Sequence, residues 1–386
     1  GLDSRPTELS FSPTGNRIYS AENSWAKIWD NVTDDSGPAL QPLEPAPEDE
    51  SLLTSKSNRK KSLTRLIEYI SPGSKQDRLT LMAAGKAIQV QKAEDIPSHA
   101  WTLVEIIATG NNTDAFPWEA FGSFPELKQL KVRTVNPITA EHLRHLTGLN
   151  QLNHLIVEKS RFAPDAIDGL PNLPRVVQFH LEFTNDFRAS WIPRLQQQLP
   201  NVKRLWLDIP RGGKDDLSLP CFEEISNWIQ LQYLKLECQG RLDADSIDKL
   251  SELSNLTELV LCRKWQIDPA AISGMNHWPR FTQLALQNAD GDLWDRLPNF
   301  VALSNLNTLD LKFSNPTDEH LKVIAKNAGS RLQHLNIISN RTTDAGIIQL
   351  GVLTHLKTIN VSQSPKITEA GIAALQEKLL DCKIIQ

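Results

Sequence analysis

The stretch Leu306–His355 reads LNTLDLKFSNPTDEHLKVIAKNAGSR and then LQHLNIISNRTTDAGIIQLGVLTH, one pattern stated twice. Each copy opens L-x-x-L-x-L, makes a turn, and enters an amphipathic stretch through a Thr-Asp pair. Period-two alternation puts the leucines on one face of a strand and polar side chains on the other. Thr or Asp at a helix start supplies an acceptor for backbone N–H groups that have no partner inside the helix. Each copy therefore reads as strand, turn, helix and return.

The same unit can be followed outward in both directions. Its first-leucine position falls at Leu127, Leu152, Val176, Val202, Leu231, Leu256, Phe281, Leu306, Leu332 and Leu356, at spacings of 25, 24, 26, 29, 25, 25, 25, 26 and 24. A period of this length leaves room for a helix between strands. Candidate helices are 140–146, 164–170, 189–198, 222–229, 245–253, 317–327 and 369–380. The motif T-D-A-G-I-x-x-L at Thr343–Leu350 and T-E-A-G-I-A-A-L at Thr368–Leu375 resembles leucine-rich-repeat proteins, in particular a bacterial subtype. The resemblance implies an α/β fold: a leucine-rich-repeat solenoid, or horseshoe, of about ten to twelve repeats, with a parallel inner sheet and convex helices. It also implies a binding scaffold without cofactors. The family's turn asparagine, nine positions into the unit, is matched by Asn340, while Ser160, Thr184, Ser314 and Ser364 are weaker stand-ins and Pro210 replaces it in one unit. The longest unit carries its excess in 208–220, which predicts a protruding loop.

The 386 residues would be long for one globular core, but a repeat array buries each apolar face only against its neighbours. Hydrophobic residues make up 40% and charged residues 23%, and no apolar run is long enough for a membrane span, so no membrane insertion is expected. A net charge of −5 gives no basic field for nucleic acid. Cys221, Cys238, Cys262 and Cys382 form no C-x-x-C pair and read as buried thiols; Cys238 and Cys262 follow successive strands, which makes a bridge conceivable.

Before the array, residues 1–30 contain three short strand patterns (8–11, 17–21 and 25–29) split by a Pro-Thr-Gly-Asn turn. With I-W-D closing the third, this segment resembles one blade of a WD-repeat propeller. The Pro-, Ser- and charge-rich residues 31–61 read as a linker. Residues 62–100 read as an N-terminal cap, with helical spacing at Leu63, Leu66, Ile67 and Ile70 and a strand at 87–90. The solenoid then occupies 101–386, and its last strand, near Cys382 and Ile384, should cover the final apolar edge.

No Walker loop, H-E-x-x-H, G-x-S-x-G or dinucleotide fingerprint occurs. Glu141, His142 and His145 could form a helix-borne metal pair, although Leu143 and Leu146 claim the inward face and leave both imidazoles in solvent. The concave face is more informative. Its seventh-position column carries Glu158, Glu182, Asp208 and Glu237 on successive strands. The fifth-position column carries His180, Trp206 and Lys235, and the third Arg204 and Tyr233. Stacked acids beside a Trp and a Tyr suit a partner surface, so the reading is a non-catalytic protein-interaction scaffold for a basic or mixed-charge segment. The alternative is a carbohydrate-binding or carbohydrate-active solenoid, since carboxylates about 4.8 Å apart on parallel strands approach the spacing of retaining glycosidases. Depth separates the two: catalysis needs a desolvated carboxyl, whereas a binding face leaves all four wet.

Overall fold

The computed structural model describes residues 9–11, 17–22, 25–30, 50–70, 77–98, 101–108, 116–183, 188, 190–208, 219–238, 240–263, 265–287, 295–301, 303 and 305–386, with 9–30, 50–56 and 219–220 described by their backbone alone. The chain divides into two compact units, Gly1–Glu50 and Ser51–Gln386.

In the first unit, β1 (Leu9–Phe11), β2 (Arg17–Glu22) and β3 (Trp25–Asp30) form a three-stranded antiparallel sheet in sequence order. The strands lie where the alternation placed them.

The second unit opens with a helix, Glu50–Tyr69, followed by the antiparallel hairpin β4 (Arg78–Ala83) and β5 (Lys86–Val90). The helix starts thirteen residues ahead of Leu63, where the apolar spacing that announced it begins. β4 also pairs antiparallel with β6 (Thr102–Ala108). Sheet order then follows the chain through β7 (Gln129–Val132), β8 (His154–Ser160), β9 (Gln178–Phe183), β10 (Arg204–Asp208) and β11 (Tyr233–Glu237). A short rim pair, β12 (Gly240–Leu242) with β14 (Trp265–Ile267), flanks β13 (Glu258–Cys262). The main sheet continues through β15 (Gln283–Gln287), β16 (Thr308–Asp310), β17 (His334–Asn336), β18 (Thr358–Asn360) and β19 (Lys383–Ile385). Every pairing from β6 to β19 is parallel, as between β10 and β11 or β18 and β19.

One carbonyl per unit fixes the register. Lys128 O accepts from both Asn153 N (2.8 Å) and His154 N (3.1 Å). The same fork recurs from Asn153 O onward in each succeeding unit, ending with Gln333 O, which takes Lys357 N and Thr358 N. Because side chains alternate with period two, this locks the leucines inward. Leu205 and Leu207 are fully buried, as are Leu234, Leu256, Leu309 and Leu332, and one continuous core runs from Leu63 to Cys382.

Helices lie near the expected ranges at Ala140–Arg144, Trp191–Gln198, Leu219–Ser226, Ala244–Leu250, Asp318–Asn327 and Glu369–Lys378, and Pro269–Gly274, Leu297–Val301 and Asp344–Gln349 add helices for which no range was given. The stretch expected as a helix at 164–170 is instead a 3₁₀ turn, Ala166–Gly169. Gly169 sits so close to the Ala140 backbone that an added Cβ would lie 2.5 Å from its carbonyl carbon, which is why this return is tight. No helix among the described residues is long and apolar enough to cross a membrane.

Asn340 does not serve as the turn residue, because it is exposed. Its predecessor Ser339 is buried, donates to Pro316 O (2.7 Å) and accepts from Arg341 N and Thr342 N (3.0 and 3.2 Å). The serines treated as stand-ins are full members of a buried ladder. Ser160 Oγ accepts from Thr134 N at 2.9 Å, Ser364 Oγ accepts from Ser339 N at 3.1 Å, and Ser314 Oγ donates to Leu286 O. Cys382 is buried and Ile384 packs on the core at the last strand. All four cysteines are buried, and none is in a disulfide among the described residues. Residues 31–49, Thr184 and residues 209–218, which include Pro210 and most of the stretch expected to protrude, lie outside the described residues.

Candidate functional site

The face of the sheet turned away from the core carries the polar columns, and strand register decides what meets what. Across β9, β10 and β11, Glu182, Asp208 and Glu237 stand opposite one another, and so do His180, Trp206 and Lys235. Arg204 lies beside Gln178 and Tyr233. Glu158 is set apart from this row: β8 and β9 lose register after Val157, where Lys159 takes a left-handed φ of 43°. Glu158 pairs instead with Lys131 across 2.9 Å.

The aromatic residues are already engaged. His180 stacks on Trp206 with centroids 3.8 Å apart and planes 7° from parallel, while Lys235 Nζ lies 3.6 Å from the Trp206 ring centroid. His180 and Lys235 come from the strands on opposite sides of β10, so both indole faces are covered. Arg204 likewise sits 4.0 Å over Tyr233. The Trp and Tyr that suited a partner surface are thus engaged by neighbouring strands.

The acids are met by a residue that column reading missed. Arg263 donates to Asp208 Oδ1 at 2.8 Å and to Glu237 Oε1 at 3.5 Å, and Lys235 pairs with Glu237 at 3.3 Å. Arg263 follows the last residue of β13 with φ 76°. Lys159, Phe313 and Gln363 occupy the same eighth position in their units with φ 43°, 61° and 55°. A left-handed residue there turns the chain off the strand, and at Arg263 it sends the side chain back across two strands. The signal in sequence was only the eighth-position slot, because no glycine marks it. Glu182 has the longest ion pair of the row among the described residues, with Lys159 at 4.0 Å.

The face is drier than expected. Glu158 and Asp208 are each 7% exposed and His180 only 2%. Burial, helped by Glu237, pushes the Asp208 carboxyl up to about 7 against the pull of Arg263. Burial also raises Glu182 and Glu158, in the second case against Lys131. It holds His180 well below the usual imidazole range, with Lys235 adding to the effect. Tyr233 is raised by burial and by Glu258, and Glu258 itself goes up to about 7. Beside them Val260, Cys262 and Ala285 form a small apolar cluster with Tyr233 against it, and burial lifts the Cys262 thiol to about 12. The expectation of four wet carboxylates is therefore corrected by the structure. One guanidinium, that of Arg263, holds both Asp208 and Glu237.

His142 is not free to join His145 around a metal. It is half-buried, stacks on Trp118 (5.7 Å, 11°) and belongs to a helix cap. Among the described residues no group of three or more His, Cys, Asp or Glu could hold a metal ion. A cavity of about 470 Å³ lies near the last strands, lined by Asn340, Val361, Gln363, Ser364, Pro365, Ile367 and Gln386, away from the acidic row.

No family model matches this chain, and no curated protein matches it significantly. Solved structures similar to it include the leucine-rich-repeat ectodomain of the plant membrane receptor kinase GASSHO1/SCHENGEN3 from Arabidopsis thaliana, in complex with CASPARIAN STRIP INTEGRITY FACTOR 2. The two share 16% identity over 86% of this chain, with a TM-score of 0.35. The match spans 43% of that ectodomain chain.

Proposed function

We propose that this chain is a non-catalytic protein-interaction scaffold, a leucine-rich-repeat horseshoe of about ten to twelve repeats that presents its strand-side face to a protein segment of basic or mixed charge. The domain division offered from sequence (1–30 blade-like, 31–61 linker, 62–100 cap, 101–386 solenoid) belongs to the same proposal.

The observation that carries the reading is the in-register row Glu182, Asp208, Glu237 with Arg263 folded back over two of its members. Like charges about 5 Å apart repel by roughly 1 to 3 kcal/mol at surface-like dielectrics. Arg263 and Lys235 offset this at Asp208 and Glu237, whereas among the described residues Glu182 has the long Lys159 ion pair, with Arg133 acting on it from farther off. A partner cation gains most at Glu182, and a partner carboxylate can meet Arg263 in exchange. The shared guanidinium also argues against glycoside chemistry, since an acid–nucleophile pair must be free to pass a proton and attack.

The test uses three immobilised proteins: wild type, Glu182→Lys with Asp208→Lys, and the helix-side control Glu319→Lys. Partner capture from lysate of the source organism should be lost in the double variant and kept in the control. Equal capture by all three would remove the strand-side face from consideration and leave the loop between Asp208 and Leu219 as the site to examine.

A further inference from the structure

Four threonine N-caps among the described residues need an acceptor for their own backbone N–H, and two different groups supply it. Thr139 N–H donates to His142 Nδ1 and Thr317 N–H to His320 Nδ1, both at 3.2 Å. Each histidine stands three residues into its helix, and its own N–H returns to the threonine hydroxyl at 3.4 Å. Thr343 N–H donates instead to Asp318 Oδ1 at 2.8 Å, and Thr368 N–H to Asp344 Oδ1 at 2.7 Å, in each case across to the preceding unit. The residue three into those helices is glycine, Gly346 or Gly371, and a side chain there would strike the incoming carboxylate.

The two acceptors differ in kind. Nδ1 of imidazole accepts a hydrogen bond only while the ring is neutral with its proton on Nε2, whereas a carboxylate accepts until it is itself protonated. We infer that His142 and His320 are acid-released latches on the helices Ala140–Arg144 and Asp318–Asn327. This inference is independent of the proposed interaction surface.

The surroundings set the direction. His142 faces Trp118 and Glu119 from the preceding turn, Glu141 and His145 on its own helix, and the Pro137 carbonyl. Burial outweighs the two carboxylates and lowers its affinity for a proton. His320 faces Arg341 from the following unit and carries Asp318 and Glu319 on its own turn. Burial, then Arg341, lowers it too. A base lowered by folding contributes stability that is complete above its unfolded value of 6.5 and is lost as pH falls from there through the folded value. Asp344 is lowered by the Thr368 hydroxyl and then its N–H, so its bridge is complete above 3.8 and is lost only below that. Between the two ranges the histidine-latched starts open while the Asp344-bridged start at Thr368 holds.

Hydrogen exchange of the full chain at pH 7.5 and pH 5, corrected for intrinsic rates, tests this. Protection at Thr317 and Leu321 should fall about fivefold on acidification in wild type, and protection at Thr368 and Ile372 should not change. In His142→Gln/His320→Gln the fall should vanish, because glutamine at the same cap position accepts at every pH. His145→Gln should behave as wild type. Unchanged protection in wild type, or the same fall in the double glutamine variant, overturns the inference. Selective ¹⁵N-histidine spectra of wild type give a second reading that needs no variant: neutral Nε2–H tautomers at positions 142 and 320 are expected at pH 7.5, and Nδ1–H tautomers would refute the latch.

Discussion

Trp228 and Trp278 occupy the same place in their units, three residues before Leu231 and Phe281, and both are fully buried. They differ at one atom. The Trp228 indole N–H donates to Leu199 O at 2.7 Å, whereas the buried Trp278 indole N–H has no hydrogen-bond partner among the described residues. Replacing each with phenylalanine removes the same volume, so the difference isolates the hydrogen bond. Trp228→Phe should cost about 1 to 3 kcal/mol more than Trp278→Phe in urea unfolding, because it strands a buried carbonyl while the other change removes a buried orphan donor. Equal losses would mean that the Trp228 bond contributes nothing net. The same scale shows what the sequence could say about the site. Alternation named the columns, and the register of β9 to β11 brings Glu182, Asp208, Glu237, His180, Trp206 and Lys235 together as the columns required. Arg263 was invisible because its reach depends on a left-handed backbone at a residue that has a Cβ, a conformation that composition does not announce. The shift that separates Glu158 from the row at Lys159 was hidden for the same reason.

At the scale of elements, the T-D-A-G signature is a statement about neighbours. Threonine caps were legible because the helix start follows directly in sequence. Their acceptors were not, because Asp318 and Asp344 act on Thr343 and Thr368 one whole unit later, at hydroxyl and N–H distances of 2.7 to 2.8 Å. The glycine follows from that reach. A Cβ on Gly346 would lie 2.8 Å from Asp318 Cγ, and one on Gly371 would lie 2.8 Å from Asp344 Cβ. The carboxylate cannot swing away without releasing both threonine bonds. Gly346→Ala and Gly371→Ala should each lose about 1 to 3 kcal/mol in urea unfolding, despite the better helix propensity of alanine. Gly122, where an added Cβ meets nothing within 4 Å and φ is not positive, is the control and should be near neutral. If alanine at Gly346 stabilised the protein, the inter-unit bridges would be incidental. The serine ladder teaches the same lesson: Ser160, Ser314, Ser339 and Ser364 bond across units, so their role could be read only once the units were stacked.

For the whole molecule the repeat made the sheet legible, since one fork at each unit's carbonyl imposes the same step from β7 to β18 and any register error would expose every leucine. The ends were less legible, having neighbours on one side only. The amino-terminal helix runs back to Glu50 through a charged stretch with the composition of a linker, because a helix already closed over Leu63, Leu66, Ile67 and Ile70 extends at little cost into polar residues. At the other end, β19 gives β18 its outer partner: Lys383 N–H donates to Lys357 O at 2.8 Å, and Val361 N–H donates to Ile385 O at 2.8 Å. Cys382 is buried there and Ile384 packs on the core. Deleting Asp381–Gln386 removes these ladder bonds and uncovers Leu379 and Val361, a loss of roughly 2 kcal/mol of burial and a few degrees in Tm. In a stacked array, that loss falls first on the nearest unit. Hydrogen exchange should therefore rise in Thr358–Asn360 and in the helix Glu369–Lys378, while protection of Arg204–Asp208, seven strands from β19 in the sheet order, stays as in the intact chain. Uniform loss across the sheet would show that the units unfold as one body, and no loss anywhere would show that the core ends at β18.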